Sequence, residues 1–299
     1  MLNALTIDVE EYFHPSELVS TVPTERWTEM PRRVEASTQR VLDLLAEGNI
    51  KGTFFVLGWV AEHYPHLVRA IHDAGHEIGC HSYAHQLVYD LTPASFKKDT
   101  MRAVNAIADA CGVVPRSYRA PSYSITKRSL WALEVLAECG FQYDSSIYPI
   151  SHDRYGMLGY ARHAQMIETA SGSLLEVPIA TIKLSERNVT PIGGGGYLRL
   201  LPYAYTAAGI RELNREGQPA CVYFHPWEID PEQPRLSVGL VARLRTYTGL
   251  STMESKIRRL TEEFRFGTLS EVFPLERVAT VAQPKPVEFS TVSLGSLMS

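Results

Sequence analysis

The chain reads as an α/β protein folded into a distorted or incomplete (β/α) barrel with mainly parallel strands. Three observations predict this. Five segments of helical periodicity each stop at a glycine and run straight into an apolar or β-branched stretch, as a helix C-cap feeding a strand does. Strands such as Thr53-Phe54-Phe55-Val56-Leu57 and Ala220-Cys221-Val222-Tyr223-Phe224 are near-continuous apolar runs, expected where helices cover a parallel sheet. Finally, the polar residues with chemical potential fall where those strands end.

In chain order, a first strand at about 3–9 is followed by a long connection over 14–33 carrying Pro15, Pro23, Trp27 and Pro31. Connections of that length serve as lids or binding loops, or are solvated insertions. Helices then run at about 34–47, 58–74, 94–111, 127–139 and 204–216, closed by Gly48, Gly75, Gly112, Gly140 and Gly217. Further strands fall at about 52–57, 76–80, 116–119, 141–145, 174–181 and 219–225. The expectation is one domain over 1–275, with 226–275 as its C-terminal extension. Residues 276–299, Ser/Thr/Val/Pro-rich and without periodicity, read as a flexible tail.

At 299 residues and 45% hydrophobic, the chain is long enough to bury a large core. A net charge of −4 without a Lys/Arg-rich block argues against nucleic-acid binding. Cys80, Cys111, Cys139 and Cys221 form no C-x-x-C pair, which speaks against a disulfide scaffold and for a reducing compartment. No leader-like segment precedes the first strand and no apolar run is long enough to span a bilayer. A cytoplasmic protein, not an integral membrane protein, is expected, with its oligomeric state open.

Chemistry concentrates in His81-Ser82-Tyr83-Ala84-His85, taken with the carboxylates of Thr6-Ile7-Asp8-Val9-Glu10. Two imidazoles and a carboxylate suffice for an open metal site, and zinc so held lowers the pKa of its water to about 7. Hydrolysis is therefore the leading reaction class. Asp8, Glu10, His81, Arg119, Asp144 and His225 all fall at predicted strand ends, the rim where β/α barrels gather catalytic groups. His72 and His76 repeat the four-residue spacing, but Gly75 intervenes at a helix end, so both read as structural, as do His63 and His66. The Gly193–Gly196 loop lacks the Lys-Ser/Thr of a phosphate loop, although its backbone could approach a sugar. Trp227, Tyr148 and Trp27 are each either stacking platforms or core.

Five ordered motifs over roughly residues 1–230 resemble the polysaccharide deacetylase family of carbohydrate esterases. They are Thr6–Glu10, His81–His85, Arg119-Ala120-Pro121-Ser122-Tyr123, Tyr143-Asp144-Ser145-Ser146 and Tyr223-Phe224-His225. Phe13, the Asp144–Pro149 run, the glycine loop and His225-Pro226-Trp227-Glu228 resemble the subgroup associated with exopolysaccharide and exosortase loci. The resemblance implies metal-dependent removal of N-acetyl groups from amino sugars of a bacterial polysaccharide or its precursor. It implies a divalent metal, zinc foremost, and an N-acetylated oligo- or polysaccharide as partner.

Carried over residue by residue, Asp8 is the general base, His81 and His85 are metal ligands, and Arg119 orients Asp8. The Tyr123 backbone N–H serves the oxyanion, His225 is the general acid, and Asp144 holds His225. Trp227 and Gly195 are assigned to the substrate. The first motif departs from the family pattern, because Val9 stands where a second aspartate is usual. Glu10 then becomes the third ligand by analogy with Asp-x-Asp branches, residues two apart on a strand sharing a side. Glu11 and His14 compete for that role. Two other functions stay open: an allantoinase-like amidohydrolase acting on a small amide, and a non-catalytic carbohydrate-binding relative.

Overall fold

The structure, a computed structural model, describes residues 1–278 except 153, 186 and 187. Six parallel strands follow one another across the main sheet: β1 (Leu2–Val9), β2 (Thr53–Val56), β3 (Glu77–Cys80), β4 (Ser117–Tyr118), β5 (Tyr143–Asp144) and, past an antiparallel β6 (Gln165–Thr169) at the far edge, β7 (Gly172–Glu176). A small antiparallel ribbon of β8 (Thr181–Ser185) and β9 (Asn188–Pro191) comes next. The parallel β10 (Cys221–Phe224) flanks β1 on its other side, and β11 (Arg265–Gly267) pairs with the start of β1.

Among the described residues no strand fills the gap between β7 and β10. Irregular chain bridges it: the Val177 N–H donates to Asp144 O (2.8 Å), the Ala180 N–H to Cys221 O (3.0 Å) and the Gly195 N–H to Tyr223 O (2.9 Å). The expected distorted barrel is therefore what forms. The 174–181 strand divides because the chain leaves β5 at Val177 to make this bridge. β6, β8, β9 and the three-residue β11 escape the sequence reading; of β6 only Ile167 is buried, so its apolar signal is faint.

Helices α1 (Val34–Glu47), α2 (Gly58–His63), α3 (Pro65–Asp73), α4 (Pro93–Cys111), α5 (Trp131–Glu138), α6 (Gly196–Leu200) and α7 (Tyr203–Arg215) alternate with the strands, and α8 (Leu240–Tyr247), α9 (Leu250–Glu263), α10 (Leu269–Val272) and α11 (Leu275–Val278) follow. The single helix expected over 58–74 is two, because Pro65 has no N–H for a continuing helix and instead opens α3. Gly75, Gly112, Gly140 and Gly217 cap their helices at positive φ, but after α1 the left-handed residue is Asn49 (φ 49°), not Gly48. Of the expected tail, residues 276–278 end α11 and the remainder lies outside the described residues.

Strand alternation divides the core in two. Ala4, Phe55, Tyr143, Leu175, Cys221 and Tyr223 pack together inside the barrel, while Leu5, Ile7, Phe54, Val56, Val222 and Phe224 join the cluster that includes the helices. The 14–33 connection is docked. Its Trp27 is buried against Phe13, His14 and Trp59, which makes it core and removes it as a sugar platform. Arg33 ends the connection with a two-point ion pair to Asp230 (2.7 and 2.8 Å). Among the described residues no helix is long and apolar enough to cross a membrane.

Candidate metal centre and acid–base site

Parallel strands deliver their C-terminal ends to one rim, so Glu10, His81, Arg119, Asp144, Glu176 and His225 arrive there because each ends or directly follows a strand. Along β1, Thr6, Asp8 and Glu10 share the inward side. The Arg119 Nη1 donates to both Thr6 Oγ1 (2.8 Å) and Asp8 Oδ1 (2.7 Å), and Glu10 Oε2 lies 2.9 Å from His85 Nε2.

His81 and His85 sit on a loop held in an uncommon shape, with Ser82 (φ 66°) and His85 (φ 53°) both left-handed. Asp99 on α4 stabilises it by accepting the Ser82 hydroxyl (2.8 Å) and the Tyr83 (2.8 Å) and Ala84 (3.2 Å) N–H groups. The first amides of α2 donate to the Ser82 and Tyr83 carbonyls, and Gly58 has to be glycine because a Cβ would lie 2.7 Å from Ala103 Cα. The His81 Nδ1 hydrogen-bonds the Arg119 carbonyl at 2.8 Å, which makes Nδ1 the protonated nitrogen and leaves the Nε2 lone pair for the site.

Ligand atoms of Glu10, His81 and His85 all lie within 4.8 Å of one another and are buried, the only such group among the described residues. The donor set fits a divalent cation. Glu10 Oε1 is taken by the Trp227 indole N–H (3.0 Å), whereas Oε2 faces only His85 Nε2 (2.9 Å), a ligand nitrogen of the same group. Burial works to raise the Glu10 pKa, but the charge and hydrogen bond of His85 and the charge of His225 hold it well below the usual carboxylate range. Burial pulls His81 down to about 4 despite nearby Asp8 and Glu10, so its imidazole is neutral, as a ligand must be.

Neither competing ligand belongs to the triad. Glu11 accepts the Arg33 N–H (3.0 and 3.1 Å) and is pushed by burial up to about 7, while the His14 Nδ1 accepts the Glu11 N–H (3.1 Å).

His225 follows β10 with its Nε2 3.5 Å from Glu10 Oε1 and 3.8 Å from Asp8 Oδ2. Its Nδ1 pairs with Glu228 Oε2 at 3.0 Å, and the same oxygen accepts the His225 N–H (3.1 Å). Burial opposes the imidazolium, yet the Glu228 hydrogen bond and the Glu10, Glu228 and Asp8 charges prevail and raise it to about 9. The buried Arg199 donates to Glu228 in turn (3.0 Å).

Several expected roles are corrected by this arrangement. Asp144 does not hold His225: it accepts the Ser146 hydroxyl and faces Glu176, and Glu228 has the orienting place. The Tyr123 N–H donates to the Ala120 carbonyl (3.1 Å), so that amide is committed to a turn. Trp227 lines the cavity but is buried, stacked on His225 (centroids 5.0 Å, 23°) and bonded to Glu10, so it supports the site from below. Gly195 is glycine because a Cβ would lie 2.4 Å from the Tyr223 hydroxyl; its N–H serves β10. Tyr148 is fully buried.

The discounted histidines stay structural. His76 accepts the Gly52 N–H (3.2 Å), His63 stacks on Trp59, His66 pairs with Glu35 and His72 with Asp73. Glu228, Asp99 and Arg199 were missed. A reciprocal His-Pro-x-Glu cap was a usable signal for Glu228, whereas Asp99 and Arg199 carry no local mark.

The Trp227→Phe variant is expected to keep His225 packed while losing the donor to Glu10. Metal affinity should fall about 10–100-fold, read by chelator competition. Unchanged affinity would mean that the indole does not orient the carboxylate.

A cavity of about 410 Å³ opens over the triad, lined by Asp8, His225, Ser122, Tyr155, Tyr197 and Arg154 among others. This falls within the ~300–1,000 Å³ of small-ligand sites. Fold and site together define a β/α-barrel protein with a buried Glu–His–His group on its C-terminal rim, fit to hold a divalent cation.

Residues 27–143 match the polysaccharide deacetylase family model, and residues 145–274 match a domain of unknown function, DUF3473. The chain is thus similar to polysaccharide deacetylases over its first segment and to DUF3473 over its second. The centre is composite: His81, His85 and Arg119 come from the first segment, His225, Trp227 and Glu228 from the second, and Asp8 and Glu10 precede both.

Among curated relatives, the peptidoglycan-N-acetylglucosamine deacetylase of Bacillus cereus is 33% identical over 98 residues, 32% of this chain and 36% of its own length. The peptidoglycan deacetylase of Helicobacter pylori is 27% identical over 157 residues (48% and 53%). The chitooligosaccharide deacetylase of a Bradyrhizobium strain is 36% identical over 101 residues (33% and 43%). The chain thus spans about a third to a half of these relatives. A solved Mycobacterium smegmatis structure carrying the polysaccharide deacetylase name shares the fold, with TM-score 0.62 at 24% identity over 94% of this chain and 93% of that one.

Proposed function

We propose that the chain is a metal-dependent hydrolase removing N-acetyl groups from amino sugars of a bacterial polysaccharide or its precursor. One observation carries the reading: a carboxylate and an imidazole, each with its own orienting partner, stand 3.8 Å apart beside the Glu10–His81–His85 triad. A divalent metal held by Glu10, His81 and His85, zinc in this reading, would supply an activated water and polarise the acetyl carbonyl.

The protein residues do the rest. Arg119 fixes Asp8 Oδ1 and leaves Oδ2 to take the water proton. Glu228 holds Nδ1 of a protonated His225, whose Nε2 gives its proton to the leaving amine. With the Tyr123 amide committed, Ser122, which also lines the cavity, is in this reading the residue whose backbone N–H meets the developing oxyanion. Tyr155 and Tyr197, half-buried on the wall, replace Trp227 as the rings a sugar would meet. The relatives named as N-acetylglucosamine and chitooligosaccharide deacetylases support an N-acetyl sugar substrate.

Zinc-loaded protein should release acetate from N-acetylglucosamine oligomers and not ammonia or ring-opened product from small cyclic amides; the reverse pattern would make it an amidohydrolase of the allantoinase kind. Binding of oligomers without turnover would make it a carbohydrate-binding relative. His225→Ala should lose far more activity on N-acetyl sugars than on activated acetate esters, whose leaving groups need no proton. Equal losses would remove His225 as the acid.

A further inference from the structure

Asp144 and Glu176 face each other as register partners of β5 and β7, and both are fully buried. Each has one oxygen served by a donor: the Ser146 hydroxyl reaches Asp144 Oδ1, and the Ile147 N–H reaches Glu176 Oε1 at 3.0 Å. The other two oxygens, Asp144 Oδ2 and Glu176 Oε2, have no donor among the described residues. Two carboxylates in that position cannot both be ionised, and one proton between them serves both remaining oxygens.

We propose that Asp144 and Glu176 share a proton and act as a positioning pair for the left-handed turn at residues 119–123.

The connection is short. Ser146 Oγ, which donates to Asp144, accepts the Ala120 N–H (2.8 Å); the Ala120 carbonyl in turn accepts the Tyr123 N–H (3.1 Å). Ser122 (φ 50°) and Tyr123 (φ 52°) are held left-handed in this turn, and both line the cavity. Such backbone persists only when its surroundings over-determine it. Burial and the facing carboxyl push the pair upward, so one proton stays between Asp144 and Glu176 at neutral pH. The other groups facing the pair are Arg119, a fixed cation, and Tyr118 and Tyr160, both kept neutral by burial.

Asp144 thereby gains a role in place of the one it lost to Glu228. The activity arm of the test rests on the deacetylase reading; the proton arm does not.

The experiment compares wild type with Glu176→Gln, Glu176→Ala and Ser146→Ala. Wild type should show the infrared carbonyl band of a buried protonated carboxyl at neutral pH, and Glu176→Gln should lack it. Above the ordinary glutamate pKa the unfolded chain releases a proton that the native state keeps. Wild-type stability should therefore fall as pH rises toward the folded value, and Glu176→Gln should not share that slope.

Glu176→Ala and Ser146→Ala should lower kcat about tenfold or more with metal content unchanged, a small displacement being enough to do so. Glu176→Gln, which keeps a donor toward Asp144, should restore it. Ser146→Ala should also speed exchange of the Ala120 amide. A band that persists in Glu176→Gln would overturn the shared proton, and full kcat with unchanged Ala120 exchange in Ser146→Ala would overturn the positioning. Should the chain release no acetate at all, the band and the amide exchange still decide the pair.

Discussion

His81→Ala and His85→Ala are each expected to lose bound divalent metal and hydrolytic activity together. Among the described residues this triad is the only group able to hold a metal ion, and its three ligand atoms lie within 4.8 Å of one another. An open centre with three protein ligands has none to spare. The loss should exceed the ~10–100-fold that follows removal of an outer-shell partner. Glu10→Gln should behave the same way, because Oε2 is the carboxylate atom turned toward His85. Glu11→Gln should not, since an amide oxygen can still accept the Arg33 N–H. Metal analysis of the four purified variants checks this. Full occupancy in either histidine variant would refute the centre, and a reversal between Glu10 and Glu11 would move the ligand.

Asp8→Asn is expected to keep its metal and lose turnover by about 10²–10⁴-fold, the usual contribution of a positioned general base. The asparagine oxygen can still accept from Arg119 Nη1, so the buried arginine keeps a partner and the rim its shape. What disappears is a basic oxygen where Asp8 Oδ2 stands, 3.8 Å from His225 Nε2. The measurement is kcat for acetate release alongside metal stoichiometry. Turnover near wild type would place the base elsewhere on the rim, and loss of metal would mean that Asp8 serves the cation.

Local sequence determined whatever depends on neighbours along the chain. The apolar strands and glycine-stopped helices specified alternating β and α units, and parallel strands oblige their C-terminal ends to share one rim. Thus Asp8, Glu10, His81, Arg119 and His225 could be assigned to a common place, and the two-residue period of β1 set Asp8 and Glu10 on one side, with Glu11 on the other. The errors have equally local causes: Pro65 splits one helix, and faint apolar patterns hid β6, β8 and β9.

Only the tertiary structure decided which rim residue pairs with which. Hydrogen bonds across the rim depend on ångström-scale positions that spacing does not encode. Asp144 and Glu228 are both carboxylates near strand ends, yet the turn at Pro226 folds Glu228 back onto His225, while the β5–β7 register sets Asp144 against Glu176. Trp227 became a support for Glu10 for the same reason. Asp99 gathers the histidine loop from a helix that no sequence motif marks, because three-dimensional proximity is a property of packing and not of order along the chain.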